Sequence, residues 1–230
     1  MYDYLVFDLD GTLAPIGKPA SVKTVNMLHA LEDEGKTICL CSGKPAYYLC
    51  GFARQAGLKK PVLIGENGGV ILCGLDLPPK EHYTVPFARE KAGRLEAIRK
   101  GLADLLCDHV WFQPNSFAVT PFLQCADDFD AVDRYISVHR ALFDGLRVYR
   151  QCDCYDILPE EFSKEIGLRY FAERRGVSSG QFVAVGDGIN DLSMFDFAGL
   201  SIGIGKTLEG KADRIFETIE EALRYIITNA

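Results

Sequence analysis

The chain has 230 residues, 48% of them hydrophobic, and a formal net charge of −7. That is enough apolar residue to bury the core of one large domain, or of a core domain with a smaller companion. There is no Lys/Arg run of the kind nucleic acid requires and no apolar stretch near the roughly 20 residues of a membrane span, and Met1-Tyr2-Asp3-Tyr4 lacks the basic segment of a signal peptide, so a cytoplasmic protein is expected.

Residues 4–9 read as the first buried strand. The apolar run Tyr4-Leu5-Val6-Phe7 ends in Asp8-Leu9-Asp10-Gly11-Thr12, with two carboxylates one residue apart and a glycine to turn on. A helix is expected near 19–34, with Val22, Val25, Leu28 and Leu31 as its apolar face, stopped by Gly35. A strand over 37–42 leads into Ser42-Gly43-Lys44. A helix near 45–56 and a strand over 62–65 follow, then the turn Glu66-Asn67-Gly68-Gly69. Alternating strands and helices imply a parallel sheet with right-handed crossovers.

Pro78-Pro79 marks a break, and the pattern changes after it. A helix is expected near 88–106, strands near 110–113 and 117–120, a helix near 128–142, and strands near 146–150 and 155–158. This αββαββ order predicts two helices over a four-stranded antiparallel sheet. Alternation would put Val110, Phe112, Phe117, Val119, Leu146 and Val148 under the helices. Trp111, Gln113, Thr120, Arg147 and Tyr149 would then occupy the opposite face, and a one-residue slip would bring in Arg150 instead.

From Pro159 the first pattern resumes, with a helix near 163–175 that starts at Phe162-Ser163-Lys164-Glu165. A strand over 182–185 runs into Gly186-Asp187-Gly188-Ile189-Asn190-Asp191. A short helix, a strand over 200–204, an edge strand at Ile215-Phe216 and a helix near 218–228 complete the chain. The expected fold is therefore α/β: a Rossmann-like parallel core over 1–75 and 159–230, with an inserted α+β cap over 76–158. The eight cysteines (Cys39, Cys41, Cys50, Cys73, Cys107, Cys125, Cys152 and Cys154) read as free thiols in a chain with a core this large. His29, His82, His109 and His139 share no spacing and read as structural.

A parallel sheet brings Asp8-Leu9-Asp10, Ser42-Gly43-Lys44 and the Asp187 loop to one edge, where open α/β sheets bind ligands. Asp8, Asp10, Asp187 and Asp191 concentrate four acids, which a hard divalent cation and Lys164 could balance. Ser42 and the backbone N–H groups after it suit an anion at a helix start. A cation beside an anion site, with a carboxylate between them, fits attack on phosphorus.

These four segments, in this order, resemble the haloacid dehalogenase (HAD) superfamily of phosphohydrolases. The position of the insertion is similar to the subgroup with a type IIB α/β cap, which includes Cof-like sugar phosphatases and archaeal-type phosphoglycolate phosphatases. The resemblance implies a Mg²⁺-dependent phosphatase acting on a small phosphate ester, with sugar phosphate or phosphoglycolate leading. It implies Asp8 as nucleophile and metal ligand. It implies Asp10 as general acid/base, its carbonyl also on the metal. Ser42, Gly43 and Lys164 would hold the phosphate, and Lys44 would contact the leaving group. Asp187 would ligate Mg²⁺, Asp191 would bind through a metal water or orient Lys164, and Asn190 would touch substrate or phosphate. Lys44 departs from the family's usual arginine and offers charge without a bidentate fork. The same residues would also serve a phosphomutase or phosphotransferase, or a catalytically silent binding protein. The oligomeric state is not legible in the sequence.

Overall fold

The computed structural model describes residues 2–229. They divide into two compact units: the stretch up to Val85 together with that from Ser163 onward, and Pro86–Phe162 between. In chain order the first unit begins β1 (Tyr4–Phe7), α1 (Val22–Asp33), β2 (Thr37–Cys41), α2 (Ala46–Gln55), β3 (Val62–Gly65), β4 (Val70–Cys73) and β5 (Glu81–Thr84). The second holds α3 (Arg89–Leu106), β6 (Val110–Phe112), β7 (Pro121–Leu123), α4 (Ala126–Val138), β8 (Leu146–Arg150) and β9 (Tyr155–Pro159). The first then resumes with α5 (Lys164–Arg175), β10 (Phe182–Gly186), α6 (Leu192–Phe197), β11 (Leu200–Ile204), β12 (Arg214–Phe216) and α7 (Ile219–Asn229).

The eight strands of the first unit form one sheet in the order β12-β11-β10-β1-β2-β3-β4-β5. It is parallel from β12 to β3 and antiparallel at β4 and β5. β1 and β10 lie side by side, yet the chain runs outward from β1 through β2 and outward from β10 through β11. Their carboxyl ends therefore flank the point where strand order reverses, the crevice in which open α/β sheets bind ligands. Leu5, Val6 and Phe7 of β1 and Val183, Ala184 and Val185 of β10 are wholly buried, as strands covered on both faces must be.

Several expectations shift. The sequence set the junctions at 75/76 and 158/159, but the compact units divide after Val85 and after Phe162. The reason is a hairpin: Gly65 pairs with Val70 across the 66–69 turn, so that turn continues the core sheet, and β5 is its edge strand. β5 (Glu-His-Tyr-Thr) is half-exposed and carries no apolar run to reveal it.

Helix α1 buries Thr24, Leu28 and Leu31, while Val22 is 77% exposed. Steps of three residues drift around a helix, so Val22 and Leu31 stand about 180° apart; the buried stripe follows i, i+4, i+7. Ser21 caps the start, its Oγ accepting the Thr24 N–H at 2.9 Å.

In the second unit, β7 lies at Pro121–Leu123 rather than 117–120, and Val119 joins by a single bridge to Ile157. Pro121, without an N–H, takes the first strand position. The four strands form two pairs, β6-β7 and β8-β9, linked by the bridges Val119–Ile157 and Phe122–Cys154, and not one continuous sheet. Leu95, Ile98, Leu102, Val119, Phe129, Val132, Tyr155 and Ile157 form this unit's own core, with Val110, Phe112, Leu146 and Val148 packed on it. Phe117 instead meets Phe87, edge to face at 5.4 Å. On the other face Gln113, Asn115, Thr120 and Asp156 form a hydrogen-bonded row: Gln113 Nε2 donates to Asn115 Oδ1 at 2.9 Å, Asn115 Nδ2 to Thr120 Oγ1 at 2.9 Å, and Thr120 Oγ1 to Asp156 Oδ1 at 2.8 Å.

Candidate active site

Asp8 follows β1 at the switch point, its N–H donating to Val185 O of β10 at 3.0 Å. Its carboxylate is buried and meets Lys164, also buried, with Nζ donating to Asp8 Oδ1 at 2.6 Å and to Asp191 Oδ1 at 2.5 Å. One ammonium thus serves two buried carboxylates. Burial works against the Lys164 charge, but Asp191 and Asp8 outweigh it and hold its pKa above the lysine range. The carboxylates fare differently. Desolvation pushes Asp8 up to about 6; Lys164 opposes the shift, while Asp191 and Asp187 add to it. Burial also raises Asp187, against the hydrogen bond from Thr12. Burial is the main cause of both shifts, and repulsion from the neighbouring acids adds to it.

The other oxygen of Asp191 is also occupied: Oδ2 accepts the N–H groups of Asp187 and Gly188, both at 3.0 Å. Asp191 thus orients Lys164 and shapes the loop that presents Asp187. Thr12 donates to Asp187 Oδ1 at 2.6 Å, joining the loops after β1 and β10. Gly11 sits between, at φ +92; a Cβ there would overlap the Asp187 carboxylate, so only glycine fits. Asp10 Oδ2 is shielded from solvent and accepts no hydrogen bond, with Lys44 Nζ at 3.6 Å as an ion-pair partner.

Ser42 follows β2 directly and is buried, with its Oγ accepting the Lys44 N–H at 3.3 Å. The turn after β3 braces this segment: the Asn67 N–H donates to Ser42 O at 3.1 Å and the Glu66 N–H to Lys44 O at 2.9 Å. Glu66 (φ 53) and Asn67 (φ 51) both adopt left-handed backbone, a costly arrangement for two successive non-glycine residues. The turn also sets the lysine. Gly68 packs on Ser163 O and Gly167, so closely that a Cβ on Gly68 or Gly167 would clash with the opposing backbone. The first turn of α5, which carries Lys164, is seated on this contact. Ser163 caps that helix, its Oγ accepting the Ile166 N–H at 3.1 Å.

Asp8, Asp10, Ser42, Gly43, Lys44, Lys164, Asp187 and Asp191 thus gather on the carboxyl edge of the sheet. Asn190 is exposed, and its Oδ1 turns back toward Gly188. A hydroxyl bond from Thr12 that fixes the aspartate loop is expected from the sequence, but sequence reasoning passed over Asp187 as its partner, the buried Glu66, the Gly68–Gly167 contact and the Asn67 side chain beside Gly43. The one available signal was the glycine at 167, three residues after the lysine. Cys41 lies near the cluster, but burial pushes its thiol up to about 12, so it stays protonated and is a poor nucleophile.

The donors suit a hard cation. Oxygens of Asp8, Asp187 and Asp191 lie within 4.8 Å of one another, and an all-oxygen donor set of this kind could hold a hard divalent cation such as magnesium, calcium or manganese.

A doubly wound sheet with a second unit inserted after its edge strand β5, and acids and a buried lysine at its switch point, defines an α/β enzyme with an inserted domain. The chain belongs to the haloacid dehalogenase-like hydrolase family, whose sequence model matches residues 5–121 and 146–221. It is 30% identical over 205 residues to a phosphoglycolate phosphatase of Halobacterium salinarum, covering 87% of this chain and 83% of that one. In fold it resembles a haloacid dehalogenase-like hydrolase from Bacteroides thetaiotaomicron (TM-score 0.79, 20% identity, 98% of this chain and 100% of that chain). It also resembles a HAD subclass IIB sugar phosphatase (TM-score 0.70, 18% identity, 97% and 98%). Among the described residues no helix is long and apolar enough to cross a membrane.

Proposed function

We propose that this phosphatase hydrolyses a small phosphate monoester through an aspartyl-phosphate on Asp8, with Mg²⁺ bound by Asp8, Asp187 and the Asp10 carbonyl. The observation that carries the reading is the buried Lys164 ammonium held between Asp8 and Asp191, at a sheet edge that also carries Asp10, whose shielded Oδ2 accepts no hydrogen bond. Lys164 fixes the rotation of the Asp8 carboxylate and offers positive charge to the phosphoryl oxygens. Asp8 attacks phosphorus, and the P–O bond to the leaving group breaks while Asp10 gives that oxygen its proton. Water then attacks the phosphorus, Asp10 takes the water's proton, and the bond to Asp8 breaks, releasing phosphate. Ser42 and the N–H groups at the start of α2 receive the phosphoryl oxygens. Asp191 acts through Lys164. Bound Mg²⁺ would neutralise charge on the transferring group. The H. salinarum relative favours phosphoglycolate and the subclass IIB structure a sugar phosphate. A panel of phosphorylated metabolites with millimolar Mg²⁺ tests the reading; phosphate release from none of them, nor from p-nitrophenyl phosphate, would leave a binding role.

Metal and pH should trade places at this site. The raised Asp8 pKa means that the folded, metal-free protein holds a proton between about pH 4 and 6 that the unfolded chain has already lost. Stability from this group is therefore greatest below pH 4 and falls as pH rises to about 6. Mg²⁺ competes with that proton, so its stabilising effect should grow with pH. With Mg²⁺ at ten times its Kd the expected gain is about 1.4 kcal/mol, or roughly 3–6 °C in Tm, at pH 7.5 and clearly less at pH 5. Equal shifts at both pH values, read by thermal unfolding, would contradict the assignment.

Gly167→Ala should push the first turn of α5 off Gly68 and displace Lys164 by a fraction of an ångström. Activity should drop about 10-fold to 100-fold with the far-UV circular dichroism unchanged. An unaffected kcat would show that the contact does not set the lysine.

A further inference from the structure

We propose that the inserted unit carries a second metal site, for zinc or a similar borderline cation, formed by His109, Cys125 and Asp128. Nothing in the phosphatase chemistry uses these residues, and the proposal stands without it.

Their convergence follows from local structure. The β6–β7 hairpin pairs Val110 with Leu123, which sets His109 across from Gln124 and next to Cys125. Cys125 is the N-cap of α4, and Asp128 lies in that helix's first turn. Donor atoms of the three lie within 4.8 Å of one another.

The carboxylate is already aimed. Asp128 is 7% exposed, and its Oδ2 accepts the N–H groups of Gln124 at 3.2 Å and Cys125 at 3.1 Å. Outer-shell bonds of this kind hold a ligand in place before the metal arrives. Oδ1 is left facing His109 Nδ1 at 3.3 Å. That is long for a charge-assisted hydrogen bond, which runs about 2.7–2.9 Å. It matches the N···O edge, roughly 3.3–3.4 Å, of a tetrahedron with metal bonds near 2.0–2.1 Å.

The donor set decides the metal. Imidazole nitrogen, thiolate sulfur and carboxylate oxygen suit zinc, whereas magnesium and calcium take oxygen. Three protein ligands leave a fourth position for water. His109 and Cys125 are exposed, so an ion reaches the site from solvent, and Cys125 also lines an open cavity of about 580 Å³ with Phe129, Arg150 and Cys152. On binding, Cys125 gives up its thiol proton to solvent, His109 enters as neutral imidazole and Asp128 as carboxylate. The ion then ties the segment before β6 to the start of α4.

The test uses the full-length, metal-stripped protein titrated with Co²⁺, followed by the thiolate-to-cobalt absorption band and then by displacement with Zn²⁺. The all-oxygen acid cluster of the first unit gives no such band. The expected result is a saturable thiolate band with no more than two Co²⁺ bound per chain (one at each site), loss of the band in Cys125→Ser, affinity weakened at least about tenfold in His109→Ala, and no change in Cys152→Ser. Serine is itself a preferred N-cap, so Cys125→Ser should keep α4 folded. Absence of the band in the wild-type protein, or its survival in Cys125→Ser, would overturn the proposal.

Discussion

Asp8→Asn is expected to lower turnover by at least about 10⁴-fold while leaving the metal-free protein at neutral pH as stable as the parent, or more so. Loss of a nucleophile removes the covalent route outright, and the residual rate reflects binding and electrostatics alone. The stability half of the expectation comes from burial. Asp8 carries a charge that its surroundings resist, with a pKa pushed up to about 6, so at pH 7.5 the ionised carboxylate is a cost to the folded state. An amide of the same shape removes that cost, and Lys164 keeps Asp191 as its counter-charge. The Mg²⁺-induced rise in Tm should shrink in the same variant. Turnover assays with parallel melting curves check all three effects. Lost activity accompanied by a large loss of stability would mean that Asp8 holds the fold together, and appreciable residual turnover would remove it from the nucleophile's role.

The sequence revealed the core and the acids because parallel strands buried on both faces read as plain apolar runs, and their ends carry the chemistry. Tyr4-Leu5-Val6-Phe7 before Asp8 and Phe182-Val183-Ala184-Val185 before Asp187 are of this kind. What escaped was whatever depends on geometry between distant segments. Thr12 and Asp187 are 175 residues apart. The Gly68–Gly167 contact brings together two glycines, neither of which has a side chain to signal it. The left-handed Glu66 and Asn67 read as an ordinary turn, when they brace the Ser42-Gly43-Lys44 segment. In the insertion the strands are short and paired two by two, so single bridges at Val119 and Phe122 do what a full ladder would do elsewhere. The 117–120 estimate failed there because Pro121 moved the pairing downstream.

Lys164→Met is expected to damage both activity and stability, and its pH dependence separates the two. Removing one partner of a buried ion pair costs about 3–5 kcal/mol, because the remaining charge is left uncompensated. Here two carboxylates, Asp8 and Asp191, lose their shared ammonium at once. In the parent, the raised pKa of Lys164 keeps the ammonium charged through the neutral range, so its contribution disappears only at strongly alkaline pH. In the variant the two acids repel each other without relief, and the folded-state pKa of Asp8 should climb further. Stability should therefore fall as pH rises from about 5 to 8, and should approach the parent's at low pH, where Asp8 is protonated. Mg²⁺ should restore part of the lost stability by supplying positive charge to the cluster. It should not restore turnover, because the ammonium also orients Asp8 and faces the phosphoryl oxygens; a loss of about 10³-fold at saturating Mg²⁺ is expected. Denaturant unfolding across pH, with and without Mg²⁺, beside kcat measured at pH 6 where the fold survives, makes the distinction. A variant that recovers near-parental kcat once Mg²⁺ has restored its stability would reduce Lys164 to a structural counter-ion.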